Sequence, residues 1–212
     1  MDLATGNGQA ALALAGYFDQ VTGCDVSPAQ LAHARPHDRV RYLRCRAETL
    51  PLKDHSVDLV TVAQAWHWFD GQAVEQELLR ILRPGGAVVI LGYVLARVDD
   101  AVDERVRWYH DELLGPYWAP ERNDLLAGYP AFPALLEPVP SPRFTMSCQW
   151  TRDQFLDYLD SWSAAIAYRA DRGENPLYHI REALEPIWPA EAVRTVRWPL
   201  VVKAARLPSG TD

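Results

Sequence analysis

Asp2-Leu3-Ala4-Thr5-Gly6-Asn7-Gly8 opens the chain. It reads as the end of a buried strand running into a glycine turn. Such a turn lets backbone approach a ligand closely, and the helix that follows presents free N–H groups. Asp25 lies nineteen residues beyond Gly6 and ends the next strand signal, Gln20-Val21-Thr22-Gly23-Cys24-Asp25. An acidic side chain there is placed to accept hydrogen bonds from the two hydroxyls of an adenosine ribose. The stretch therefore predicts an open α/β sheet with its ligand at the carboxyl ends of the strands, where the strand order switches.

Working outward, strand and helix signals alternate. Ser27-Pro28 supplies an N-cap and a proline at the first helical position, opening a helix to about Arg35. Residues 40–45 form a strand with alternating apolar positions, and residues 57–63 are β-branched and apolar, as a strand covered on both faces requires. Asp70 caps a helix with Val74, Leu78, Ile81 and Leu82 on one face; Arg83-Pro84-Gly85-Gly86 stops it before a strand over 87–92. Strands separated by helices of this length pair in parallel through right-handed crossovers.

After Tyr93 the composition changes. Val102, Val106 and Leu113 mark an amphipathic helix, followed by the aromatic, proline-rich Gly115-Pro116-Tyr117-Trp118-Ala119-Pro120. Residues 144–150 read as a strand, and Thr151 with Gln154 forms a capping box for a helix to about Tyr168. Asn175-Pro176 opens another helix, and 195–206 is a final strand in which Pro199 favours an edge or a bulge. The fold class is α/β: an open, mostly parallel, Rossmann-like sheet with an antiparallel C-terminal strand and a helical insertion between strands five and six. Residues 1–212 are read as one domain, with a cofactor-binding half over 1–93, an aromatic-rich cap over 94–143, and C-terminal strands and helices over 144–212.

A chain of 212 residues with 49% hydrophobic content buries a sizeable core. A net charge of −7 argues against a nucleic-acid partner. Arg39, Arg41, Arg44 and Arg46 cluster, but as solvated strand-end positions. Cys24, Cys45 and Cys148 form no CxxC pair, so neither a disulfide framework nor a metal site is expected, and a reducing, cytoplasmic setting follows. The sequence carries no secretory leader and no apolar run of membrane-spanning length, so no membrane association is expected.

Gly6-Asn7-Gly8-Gln9-Ala10-Ala11 also satisfies the G-x-G-x-x-A dinucleotide fingerprint, which makes an NAD(P)-dependent oxidoreductase a rival. Other features separate the two. Asp2 stands four positions before Gly6, where a dinucleotide has no use for a carboxylate and an amino-acid-bearing cofactor needs one near its ammonium. Ala47-Glu48-Thr49-Leu50-Pro51-Leu52 follows the third strand, within reach of an adenine ring, and Leu82-Arg83-Pro84-Gly85-Gly86 precedes the fifth. No second nucleotide half and no Tyr-x-x-x-Lys pair supports the rival.

Together these features resemble the class I S-adenosylmethionine-dependent methyltransferases, over essentially the whole chain. Gln64-Ala65-Trp66-His67-Trp68-Phe69-Asp70 and Leu114-Gly115-Pro116-Tyr117-Trp118 are similar to the type-11, small-molecule branch related to trans-aconitate methyltransferases. The resemblance implies that Asp2, Ala4, Gly6 and Gly8 line the methionine end of S-adenosylmethionine. Asp25 would hold the ribose, Ala47 and Glu48 would flank the adenine, and Gln64 would stand beside the sulfonium. The family usually has glycine at the position of Ala4. Its members also carry several dozen residues before the first motif. Three readings of the short front stay open: a piece of a longer protein, a short form that covers its exposed face as a homodimer, or a non-catalytic chain with impaired donor binding.

The resemblance implies a small-molecule acceptor attacking through oxygen, with a carboxylate favoured. A carboxylate needs only to be held in line in a water-poor pocket, whereas an alcohol or amine needs a base. His67 is the candidate base; its alternative is a structural histidine in an aromatic loop. Trp66 is expected in the core, while Trp68, Tyr117 and Trp118 are candidates for the substrate wall. Arg97, Arg122 and Arg169 are candidate anchors for an anion, with surface solvation as the alternative.

Overall fold

The computed structural model describes residues 1–130 and 135–209; residues 131–134 of the expected cap and 210–212 of the expected C-terminal segment lie outside it. The chain divides into two compact units. One comprises Met1–Gly92, Asn123–Arg143 and Val201–Asp212; the other comprises Tyr93–Arg122 and Phe144–Leu200.

The first unit is built on β1 (Asp2–Leu3), α1 (Gln9–Leu14), β2 (Val21–Asp25), α2 (Pro28–Ala32), β3 (Val40–Arg44), β4 (Val57–Ala63), α3 (Gly71–Ile81) and β5 (Leu82–Tyr93). These strands pair in parallel in the order β3-β2-β1-β4-β5. The order switches at β1, which pairs with both β2 and β4, so the loop after β1 opens at the topological switch point. Leu3, Val60, Val62, Val88 and Ile90 are fully buried, as expected where helices cover both faces of a parallel sheet. The predicted caps form: Ser27 accepts from the Gln30 amide, and Asp70 accepts from the Ala73 amide at 3.2 Å. Val74, Leu78, Ile81 and Leu82 are all buried.

Two details depart from the expected pattern. Helix α3 ends at Ile81 and β5 begins at Leu82, so Arg83-Pro84-Gly85-Gly86 already lies in the strand. The cause is pairing: the Gly85 amide donates to Leu207 O at 2.9 Å and the Leu207 amide to Gly86 O at 2.8 Å. A short edge strand, β6 (Glu137–Val139), also pairs antiparallel with the end of β8 (Arg194–Arg206), despite containing Pro138. Proline is tolerated there because one side of an edge strand needs no ladder donor. Helix α5 (Asn123–Leu126) belongs to the same unit.

The second unit contains α4 (Asp100–Trp108), which continues as a π-helical turn over Tyr109–Leu113, then β7 (Thr145–Trp150), α6 (Arg152–Asp160), α7 (Ser163–Arg172) and α8 (Leu177–Leu184). Strand β7 pairs antiparallel with the first half of β8, placing Thr145 opposite Pro199. The capping box forms as predicted, with the Thr151 amide donating to Gln154 Oε1 at 2.9 Å. The single helix expected from there to Tyr168 is instead two, α6 and α7. Trp162 between them takes extended backbone (φ −65°, ψ 134°) and packs its ring against Tyr109, His110, Trp118 and Tyr158. Seating that large side chain outweighs one more helical turn. Among the described residues no helix is long and apolar enough to cross a membrane.

Candidate cofactor-binding site

Strand β1 delivers Ala4, Gly6 and Gly8 into a turn in which all three adopt left-handed backbone, with φ of 51°, 57° and 87°. Glycine does this without strain, whereas alanine pays about 1–2 kcal/mol for it. The family's glycine preference at Ala4 therefore has a conformational cause. A side chain on Gly6 would meet little but Gln30 Oε1, at 3.8 Å, so the face above the turn is open. At Gly8 it would run into the Tyr42 ring.

Asp25 closes the turn from the neighbouring strand. Its Oδ2 accepts from the Gly6 amide and its Oδ1 from the Ser27 amide, both at 2.8 Å. Each carboxylate oxygen keeps a further lone pair, so the group still has capacity for ribose hydroxyls beside the open face of Gly6. A Thr5 amide bond to Cys24 O, at 2.8 Å, fixes the turn against β2.

Asp2 is buried beneath the turn, its Oδ2 accepting from Thr5 Oγ1 and its Oδ1 from Thr61 Oγ1, each at 2.6 Å. Burial pushes its carboxyl above the ordinary range, and the two hydroxyl donors oppose that shift. Thr5 and Thr61 escaped the sequence reading. Thr61 carries a usable signal, since it is a polar residue inside the apolar run of β4 that stands opposite Asp2 in the ladder.

Ala47 and Glu48 lie on a tight turn after β3, where the Thr49 amide donates to Arg46 O at 3.3 Å. Ala47 is buried and Glu48 pairs with Arg46 at 3.3 Å. Gln64 follows the end of β4 in left-handed backbone (φ 56°), its amide bonded to Leu91 O at 2.8 Å. Asp25, the 46–49 turn and Gln64 thus all lie at the carboxyl ends of parallel strands, as does the glycine turn. A cavity of about 370 Å³ lies elsewhere, at the amino ends of β2 and β4, lined by Leu14, Phe18, Val21, Val57 and Leu59. It is remote from the edge that carries the turn.

His67 sits on a 3₁₀ turn over Trp66–Trp68. Its Nδ1 is 3.3 Å from Tyr129 Oη, and the two rings lie nearly parallel (15°) at 6.2 Å. Trp66 is in the core, 4% exposed, as expected, whereas Trp68 is 55% exposed. Tyr117 and Trp118 belong to the second unit. The Tyr117 hydroxyl donates to Asp171 at 2.8 Å and accepts from Arg172, while Trp118 Nε1 donates to His110 O at 3.0 Å and its ring lies 3.9 Å beneath the Arg122 guanidinium. Arg97 is paired with Asp103 at 3.4 Å and Arg169 with Asp160 at 2.6 Å.

The fold and turn define an open α/β protein with a glycine turn and an acidic partner at its switch point. Comparison with known proteins narrows the class. Residues 1–90 match the family model described as a methyltransferase domain. A methyltransferase relative from Dictyostelium discoideum is 32% identical over 187 residues, spanning 87% of this chain and 71% of its own length. A relative from Saccharomyces cerevisiae named as a probable S-adenosylmethionine-dependent methyltransferase is 23% identical over 211 residues, 83% of this chain and 72% of its own. The chain spans about half the length, 49%, of its mycobacterial relatives. A solved structure described as a type II methyltransferase from Anaeromyxobacter dehalogenans superposes with a TM-score of 0.90 at 38% identity, over 99% of this chain and 89% of that one. The chain belongs to the class I S-adenosylmethionine-dependent methyltransferases, and its cofactor is S-adenosylmethionine.

Proposed function

We propose that the protein methylates a small-molecule acceptor through oxygen, with a carboxylate as the attacking group, in the cytoplasm. When bound, S-adenosylmethionine supplies a sulfonium methyl group that the acceptor oxygen displaces. In this reading Asp25 holds the ribose and Asp2, buried beneath the turn, belongs to the methionine end of the site. Ala4, Gly6 and Gly8 line the methionine end, Ala47 and Glu48 flank the adenine, and Gln64 stands beside the sulfonium. Trp68, in the same unit as the glycine turn, contributes to excluding water from the acceptor.

The observation that carries the carboxylate reading is the environment of His67. Its ring is stacked on Tyr129 and its Nδ1 engages the tyrosine hydroxyl, which suits a positioned structural histidine better than a base that must move a proton. A carboxylate nucleophile is ionised at neutral pH and needs no base. The net charge of −7 favours a small acceptor over a nucleic acid.

The test is a two-stage assay. Calorimetric titration with S-adenosylhomocysteine should show binding, with NADH giving none. Labelled S-adenosylmethionine offered with panels of carboxylic acids, alcohols and amines should then yield base-labile methyl esters, unchanged in rate by His67→Ala. Base-stable products, or a large fall in turnover in that variant, would replace the carboxylate with a protic acceptor.

A further inference from the structure

One residue of α3 divides its donors between a single loop and a carboxylate of its own helix. Arginine has five N–H groups in a fixed fork, and Arg80 commits all five. Its Nη1 donates to Leu52 O at 2.7 Å and to Asp54 Oδ1 at 2.8 Å. Its Nη2 donates to Leu50 O at 2.9 Å and to Glu77 Oε2 at 2.8 Å, and its Nε donates to Glu77 Oε1 at 2.9 Å. Glu77, whose side chain is only 16% exposed, also accepts the Leu50 amide through Oε2 at 2.9 Å. The pair therefore holds both backbone groups of Leu50, the residue two positions after Glu48.

The other end of this segment is tied to the ribose side. The Cys45 amide donates to Asp25 O at 3.2 Å, on the residue whose carboxylate reaches the Gly6 amide. Between these anchors the chain has only the tight turn of Arg46, Ala47, Glu48 and Thr49 in which to move. Leu50 is itself buried, so the turn cannot shift without breaking the clamp.

We infer that Glu77 and Arg80 are positioning residues that set the adenine-flanking turn, acting from α3 through Leu50 and touching no ligand themselves. The inference rests on the reading that Ala47 and Glu48 flank adenine. Lysine cannot replace Arg80, because an ammonium on a flexible stem has no fork with which to hold Glu77 and two carbonyls at once. The consequence is base selectivity: a turn held in one place discriminates adenine from a purine of altered edge, and a loosened turn does not.

The experiment measures calorimetric dissociation constants of S-adenosylhomocysteine and S-inosylhomocysteine for the wild type, Arg80→Lys, Glu77→Gln and Asp25→Ala, with thermal midpoints alongside. The wild type should prefer the adenine ligand. Arg80→Lys should weaken that ligand about tenfold and the inosine ligand much less, collapsing the preference, and Glu77→Gln should do the same to a smaller degree. A lower midpoint with both affinities weakened equally, or with neither changed, would make the clamp merely structural and overturn the proposal. Asp25→Ala separates this from the underlying reading, since it should weaken both ligands alike. If it does not, or if the wild type shows no base preference, the cofactor placement itself fails and the clamp's role falls with it.

Discussion

The glycine turn and the aromatic helical unit solve different problems with different materials. At the turn, backbone is the working part: three left-handed residues, amides aimed at Asp25, and a buried carboxylate held by two threonine hydroxyls. In the second unit side chains dominate. Trp118, Trp162, Tyr158, Phe155, Trp188 and Trp198 pack ring against ring, joined by single bonds such as Trp188 Nε1 to Ala192 O at 2.7 Å. A backbone-built site fails by losing a particular bond or dihedral, whereas a ring-packed core fails by losing volume.

Four changes would break or sharpen that contrast. The largest effect is expected in the ring-packed unit. Trp188 is fully buried and stacked on Phe155 at 5.4 Å, so Trp188→Ala should cost about 3–5 kcal/mol in urea unfolding. A cost under 1 kcal/mol would mean that the core collapses to fill the hole. At the turn, Asp25→Ala removes the acceptor of two amide bonds and of the proposed ribose contacts. Affinity for S-adenosylhomocysteine should fall by about 1.5–3 kcal/mol per charge-assisted bond lost. Unchanged calorimetric affinity would move the ribose elsewhere.

Acid should act through Glu77. The hydrogen bonds from Arg80 hold its carboxyl below the ordinary glutamate range. A depressed carboxylate stabilises the fold above its unfolded value of about 4.3, and that contribution is lost as pH falls through the lower folded value. Urea midpoints from pH 6 to 3 should therefore decline less steeply in Glu77→Gln than in the wild type; parallel curves would contradict the assignment. The smallest change is Ala4→Gly, which relieves left-handed strain at φ 51° and should raise stability by about 0.5–1 kcal/mol after glycine's own entropic cost. A lowered thermal midpoint would show that the alanine methyl makes compensating contacts.

Legibility in the sequence follows the same divide. The strand over Val57–Ala63, the Ser27 and Asp70 caps and the Thr151–Gln154 box form where the residues predict, because each depends on neighbours within a few positions. Asp25 is visible because its spacing from Gly6 reflects one crossover unit. The break at Trp162 is not, since helical periodicity runs through it and only the pocket of surrounding rings decides that the backbone must extend there. Likewise β6 owes its existence to β8, far along the chain, and its own Pro138 argues against it.

By itself the sequence determined the α/β alternation, the glycine turn and its acidic partner, because period, capping and conformational freedom are properties of adjacent residues. Only the tertiary structure decided that Thr61 would share Asp2 with Thr5, that Arg80 would place three of its five donors on one loop, and that Leu207 would draw Gly85 and Gly86 into a strand. Those contacts join residues dozens of positions apart, and their energy exists only once strand order and register have brought the partners together.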